Sequence, residues 1–97
     1  MSKERGLEQY YSGDKVWDNW VQKAKEDYWK NTDYQKELLS LLDKSFDLAV
    51  VIYAKHGKGS ICWLSKEVPA LENLTPIECL KTKELMLRLR ECLLRMP

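Results

Sequence analysis

The side chains that could do chemistry in this chain of 97 residues are few and widely spaced. His56 is the only histidine, so a catalytic triad or a histidine-based metal site would depend on it alone. It stands where a helical pattern ends, before Gly57, and C-terminal capping explains it there. Cys62, Cys79 and Cys92 are too far apart for a C-x-x-C pair, so we interpret them as small buried side chains in a reducing compartment. We therefore expect no enzyme, no metal and no cofactor.

Two weaker patterns lead to the same expectation. The segment Gly57-Lys58-Gly59-Ser60 precedes a helical stretch, but it lacks the full phosphate-loop spacing and a preceding strand, so a turn with Ser60 as N-cap suffices. Most carboxylates stand at helical spacing from a basic residue, as Glu84 does from Arg88 and Glu91 from Arg95. Such spacing is typical of a solvated helix face.

Binding, in contrast, has candidates at both ends of the chain. Seven of the ten aromatic residues lie between Tyr10 and Tyr34, and three of them, Tyr10, Tyr11 and Trp29, fall outside the helical stripe. Exposed tyrosine and tryptophan often anchor interfaces, although extra packing for a small core is an equal alternative. Base stacking is less favoured, because stacking platforms accompany basic grooves.

The last helical pattern supplies the basic candidates. Its apolar stripe is predicted to face inward and consists of Leu85, Leu89, Cys92, Leu93 and Met96. The remaining cations should then lie on the outer surface, where arginine is enriched at interfaces, unless they only complement the helix dipole. The predicted partner-binding set is Lys83, Arg88, Arg90, Arg95, Met96, Tyr10, Tyr11 and Trp29.

Charge and hydropathy restrict the partners. The net charge is +1; residues 1–45 carry 8 basic and 9 acidic residues, and residues 46–97 carry 8 and 6. Neither half is a basic module, which argues against nucleic acid as a partner of this chain alone. The longest uncharged apolar run, Leu48–Ala54, is far below the ~20 residues that span a bilayer, and residues 1–5 do not begin a signal peptide. We expect a cytoplasmic protein.

The elements that must position these residues are helices. Residues 1–13 should be a loosely ordered N-terminus and residues 14–97 one helical domain. A stripe predicts a first helix over residues 15–30, and it consists of Trp17, Trp20, Val21, Ala24 and Tyr28. A second long helix is predicted over residues 34–55, with its last part, 48–54, buried on all sides. Its stripe consists of Leu38, Leu41, Leu42, Ser45, Phe46, Ala49, Ile52 and Tyr53.

Shorter elements follow. A short helix is predicted over residues 61–66, ended by Val68-Pro69. Thr75-Pro76-Ile77-Glu78 has the pattern of a capping box that opens a second short helix. Thr82 should cap the last helix, over residues 83–94. The fold class is therefore predicted to be all-α, a small single-domain bundle.

The second half of the chain, Phe46 to Met96, resembles the toxin-binding domain of the Xre/MbcA/ParS antitoxin family. The matching features are Leu48-Ala49, His56-Gly57, Trp63-Leu64, Pro69-Ala70-Leu71, Leu74-Thr75-Pro76, Leu80, Leu89 and Leu93. The resemblance implies a helical domain from a bacterial toxin–antitoxin system, whose C-terminal part contacts and blocks a RES-domain toxin that consumes NAD. It also implies a structural core of Trp63, Leu64, Pro69, Leu71, Thr75, Pro76, Leu89 and Leu93.

The leading expectation is therefore an antitoxin-like module that neutralises such a toxin by occlusion, and a homodimer remains open. Many members of that family carry a helix-turn-helix before this domain, whereas residues 1–45 offer only about two helices. A DNA-binding regulator of its own operon is the first alternative, and a stand-alone adaptor or immunity protein is the second.

Overall fold

The computed structural model describes Tyr11 and residues 13–96, and this part of the chain forms five α-helices, with short 3-10 turns in the connections that follow the third and fourth helices. The helices are α1 (Asp14–Tyr28), α2 (Asp33–Leu41), α3 (Phe46–His56), α4 (Ser60–Leu64) and α5 (Lys83–Arg95). The 3-10 turns span Gly57–Gly59, Pro69–Leu71 and Glu78–Leu80. No strand occurs among the described residues, where Val68 and Leu74 form a single isolated bridge. The prediction of an all-α fold is confirmed.

Helix α1 buries a narrower stripe than its sequence pattern predicts. Trp17 and Ala24 are buried and Val21 is half-buried, but Trp20 and Tyr28 are exposed. Tyr28 lies in the last turn of the helix, and the residue that follows it, Trp29, packs against the core instead. Trp20 lies at the edge of the stripe and is covered on one side only by a lysine. The prediction that both pack in the core is wrong.

The prediction of a single helix over residues 34–55 is also wrong, because the helical conformation is interrupted after Leu42. Asp43 and Lys44 adopt left-handed backbone angles, with φ of 55° and 64°. The Lys44 N–H then donates to the Leu39 carbonyl at 2.9 Å, which satisfies one of the last carbonyls of α2. Helices that end in a left-handed conformation usually have glycine at that position, so the lysine at position 44 did not indicate the end of α2.

The break separates two helices of different character. Helix α3 is buried on all sides from Leu48 to Ile52, whereas Tyr53 and Ala54, for which the same was predicted, are half-buried. The helix packs against α1, α4 and α5. Leu41 and Phe46, which flank the break, are exposed rather than part of the stripe. A helix surrounded in this way is the centre of the fold, because each neighbouring element covers a different part of its surface.

Most residues of the structural core that the resemblance implies are buried. Six of its members are buried: Trp63, Leu64, Leu71, Pro76, Leu89 and Leu93. Thr75 is half-buried and Pro69 is exposed, so the assignment of Pro69 to the core is wrong. Pro69 begins a 3-10 turn, where its ring fixes the backbone while Leu71 occupies the core.

Two of the three predicted caps formed, and the prediction of Ser60 as an N-cap is wrong: Ser60 is the first residue of α4, and its hydroxyl donates to the Gly57 carbonyl at 2.6 Å. The Glu78 carboxylate accepts from the Thr75 N–H at 2.8 Å, and the Glu78 N–H donates to Thr75 Oγ1 at 3.2 Å. This capping box opens the 3-10 turn Glu78–Leu80. Thr82 caps α5 by accepting the Leu85 N–H at 3.1 Å. Both caps fix the direction in which α5 leaves the loop.

Cys79 and Cys92 are buried as predicted, but Cys62 is exposed, because it precedes Trp63 on α4 and faces away from the core. In the described part of the chain, no helix combines the length and the apolar character that crossing a bilayer requires.

Candidate groove for a protein partner

A groove of about 730 Å³ lies between the start of α1 and the start of α5. It contains three members of the predicted partner-binding set, Tyr11, Lys83 and Arg90, drawn from opposite ends of the sequence. Its complete lining is Tyr11, Gly13, Asp14, Leu80, Lys81, Thr82, Lys83, Met86, Leu87 and Arg90. The groove is therefore the place where the aromatic N-terminal candidates and the basic C-terminal candidates meet.

Local backbone geometry builds both walls. On one side, Gly13 has a φ of 108°, which residues other than glycine rarely adopt, and it turns the chain from Tyr11 into α1. On the other side, the Glu78–Leu80 turn leads through Lys81 to the Thr82 cap and into α5. The side chains of Leu80, Met86 and Leu87 are half-buried and give this wall its apolar surface.

A hydrogen-bonded set of three side chains forms one edge of the groove. The Tyr11 hydroxyl donates to Asp14 Oδ1 at 2.8 Å. Arg90 Nη1 donates to the Tyr11 oxygen at 3.2 Å and to Asp14 Oδ1 at 3.3 Å. Burial raises the pKa of Tyr11, and the hydrogen bond from Arg90 opposes that rise. The phenol is therefore a neutral donor, and this edge joins α1 to α5.

Behind this edge, Arg90 reaches the core. Its Nη2 lies 3.2 Å from Asp47 Oδ2, which also accepts the Trp17 indole N–H at 2.9 Å. The guanidinium carbon lies 5.2 Å from the centre of the Trp17 ring. The prediction that Arg90 lies on the outer surface is therefore wrong: its side chain is 22% exposed and ties α5 to α1 and α3. Asp47, the centre of this network, carried no signal in the sequence.

The other two arginines of the predicted set lie outside the groove. Arg88 has only 12% of its side chain exposed, and its Nη1 lies 3.4 Å from Glu72 Oε1, so its placement on the outer surface is wrong as well. Arg95 is exposed, and its Nε donates at 2.7 Å to Glu91, so the predicted pair forms; Glu91 is buried, however, and does not belong to a solvated face. Lys83 is exposed as predicted.

The remaining candidates are scattered. Met96 lies past the far end of α5, packs on the core, and its carbonyl accepts from Lys55 Nζ at 2.8 Å. Trp29 is half-buried and makes an edge contact with Phe46, with 5.3 Å between ring centres. It therefore serves the packing between the end of α1 and the start of α3. Tyr10 lies outside the described residues.

His56 packs against α4. Its ring stacks on Trp63 with 4.2 Å between the centres and 23° between the planes. Burial lowers the pKa of His56, and the nearby charges of Lys55 and Lys66 lower it further. Its Nε2 is buried and has no hydrogen-bond partner among the described residues. The same residues contain no cluster of three or more histidine, cysteine, aspartate or glutamate side chains suited to a metal.

Comparison with protein-family models, with curated proteins and with solved structures gave no significant match for this chain.

Proposed function

We propose that this chain is an antitoxin-like protein-binding module, which neutralises a RES-type, NAD-consuming toxin by occluding it. The observation that carries the protein-binding part is the groove between α1 and α5. It combines an apolar wall with exposed lysines, a combination suited to a polypeptide surface.

The identity of the partner rests on the resemblance of residues 46–96 alone. The residues that carry the resemblance, such as Trp63, Leu71 and Leu89, pack around α3 and hold α5 in position. Helix α5 and the groove at its start would then be the surface presented to the toxin. In this mechanism the chain performs no chemistry, and inhibition follows from covering the site where the toxin binds NAD.

Contacts between the helices that form the groove favour a preformed binding surface. Arg90 connects three helices through Asp14, Asp47 and Trp17. A preformed surface loses less conformational freedom on binding than one that must be ordered, and this favours a tight complex.

The test first asks whether a RES-domain gene lies beside this one. The product of that gene is then co-expressed with this chain, followed by size-exclusion chromatography and an assay of NAD consumption. We expect a stable complex in which NAD consumption is abolished. Leu87→Glu places a charge in the groove and should weaken the complex. Leu41→Glu is the matched control, because Leu41 is exposed at the end of α2 and does not line the groove.

Both variants must first show the wild-type circular-dichroism spectrum. If no RES-domain gene is adjacent, or if its product forms no complex with this chain, the antitoxin proposal fails. If the complex forms but Leu87→Glu and Leu41→Glu have equal effects, the toxin binds elsewhere on this chain.

A further inference from the structure

We infer that the groove between α1 and α5 receives an acidic segment of the partner polypeptide that also carries apolar side chains. This inference rests on the proposed protein-binding function and specifies the chemistry of the surface that enters the groove. It follows from the charges of the lining, from its apolar wall and from the size of the space.

The charges of the lining are unbalanced. Lys81, Lys83 and Arg90 contribute three positive charges, and Asp14 contributes one negative charge. Arg90 already lies within 3.3 Å of Asp14 and within 3.2 Å of Asp47. The surplus is therefore carried by the two lysines, which are both exposed and stand two positions apart where the loop enters α5. Glu78, outside the lining, offsets part of the charge of Lys81, and Lys83 contributes the rest of the surplus. Carboxylates of a partner would complement them.

The apolar wall excludes a purely electrostatic ligand. Leu80, Met86 and Leu87 are half-buried, so part of each side chain faces the space of the groove. Covering that surface would contribute to binding in proportion to the apolar area removed from water. A segment that carries leucine-like side chains beside carboxylates would pack the former on the apolar wall and pair the latter with the lysines.

Nucleic acid fits this groove less well. Proteins that bind duplex DNA typically neutralise about six to ten phosphates, whereas only two lysines here are not already engaged by a carboxylate of the Arg90 network. Asp14 would repel a phosphate, and the apolar wall would gain nothing from one. A space of about 730 Å³ suits the side chains of a short segment better than a whole domain surface.

The test uses two short fluorescent peptides of equal length. One contains leucine, alanine and glutamate, and in the other every glutamate is replaced by lysine. Binding to the full chain is measured by anisotropy, and the contact site is mapped by amide chemical shifts. We expect the glutamate peptide to bind at least about tenfold more tightly than the lysine peptide, with the largest shifts between Leu80 and Leu87.

Charge reversal provides the decisive comparison. The double variant Lys81→Glu with Lys83→Glu should lower the affinity for the glutamate peptide by about tenfold or more. The double variant Lys36→Glu with Lys66→Glu changes the net charge equally, at exposed positions outside the groove, and should have little effect. All four lysines are exposed, so both variants should melt at nearly the temperature of the wild type.

Three results would overturn the inference: equal binding of both peptides, equal effects of the two double variants, or tighter groove binding of a short DNA duplex than of the glutamate peptide. The experiments distinguish failure of this inference from failure of the proposed function. A toxin complex that is insensitive to Lys81→Glu with Lys83→Glu would overturn the inference alone. Groove binding of the glutamate peptide without any toxin complex would support the inference and reject the toxin as the partner.

Discussion

Arg90 makes two ion pairs that differ mainly in exposure, and they allow one interaction to be compared in two environments. Its Nη2 lies 3.2 Å from Asp47, whose side chain is 33% exposed, and its Nη1 lies 3.3 Å from Asp14, whose side chain is 76% exposed. Because solvent screens the second pair more, we expect the Asp47 pair to contribute more to the free energy of unfolding.

The size of the difference follows from typical values. Two charges about 4 Å apart near a protein surface attract by about 4 kcal/mol before desolvation and side-chain ordering are subtracted. Exposed pairs retain about 0.2–1 kcal/mol after those costs. We therefore expect a coupling of about 0.5 kcal/mol or less for Arg90 with Asp14, and about 1–2 kcal/mol for Arg90 with Asp47.

Two double-mutant cycles that share Arg90→Met measure these couplings. Asp47→Asn and Asp14→Asn remove the charges but keep a side-chain oxygen, so the indole N–H of Trp17 still has an acceptor at position 47. Urea denaturation of the five variants (three single and two double) and the wild type gives each coupling energy. Equal couplings, or a larger one for Asp14, would refute the view that exposure decides what each pair contributes.

Two further predictions concern the packing of α4 against α3. Trp63→Ala should lower the free energy of unfolding by roughly 3–5 kcal/mol, because the ring is buried, whereas Cys62→Ala, at its exposed neighbour, should change it by less than about 0.5 kcal/mol in the same denaturation experiment. The pKa of His56 is held below its ordinary value of 6.5, so as the pH falls the unfolded chain takes up this proton first. The contribution of His56 to the free energy of unfolding should therefore be constant at pH values above that ordinary pKa and decrease at lower pH. His56→Gln should remove this part of the pH dependence. A His56→Gln variant that loses stability just as the wild type does would contradict the assignment.

The parts of the fold that could be predicted from the sequence depend on neighbours along the chain. The box of Thr75 and Glu78 and the Thr82 cap are hydrogen bonds over three residues, so residue types at fixed spacing specify them. The continuous apolar run of α3 likewise predicted a helix buried on all sides. The burial of Trp63, which the resemblance implied, also agrees with local physics, because a helix as short as α4 is stable only when it docks on longer ones.

The site could be predicted only in part, because its defining contacts join residues far apart in sequence. Arg90 pairs with Asp14 across 76 positions and with Asp47 across 43. An arginine on a helix face has the same sequence pattern whether it faces solvent or a carboxylate of another helix. Arg88 illustrates this, since its side chain is mostly covered and lies beside Glu72 in a distant loop. Tyr11 and Lys83 were found because aromatic and basic side chains are interface candidates wherever they lie.

The interruption between α2 and α3 leads to a prediction about Lys44. The sign of the expected change in the free energy of unfolding distinguishes two separate helices from one long helix. Lys44 has a φ of 64°, and a left-handed conformation costs a non-glycine residue roughly 1–2 kcal/mol. Glycine avoids that strain but loses more chain entropy, so Lys44→Gly should raise the free energy of unfolding by about 0.5–1 kcal/mol. Lys36→Gly is the matched control, because Lys36 is exposed within α2, where the change should lower stability by about 1 kcal/mol. If residues 34–55 formed one continuous helix, both substitutions would be destabilising to a similar extent. A stabilising Lys44→Gly beside a destabilising Lys36→Gly would therefore establish the break by urea denaturation alone.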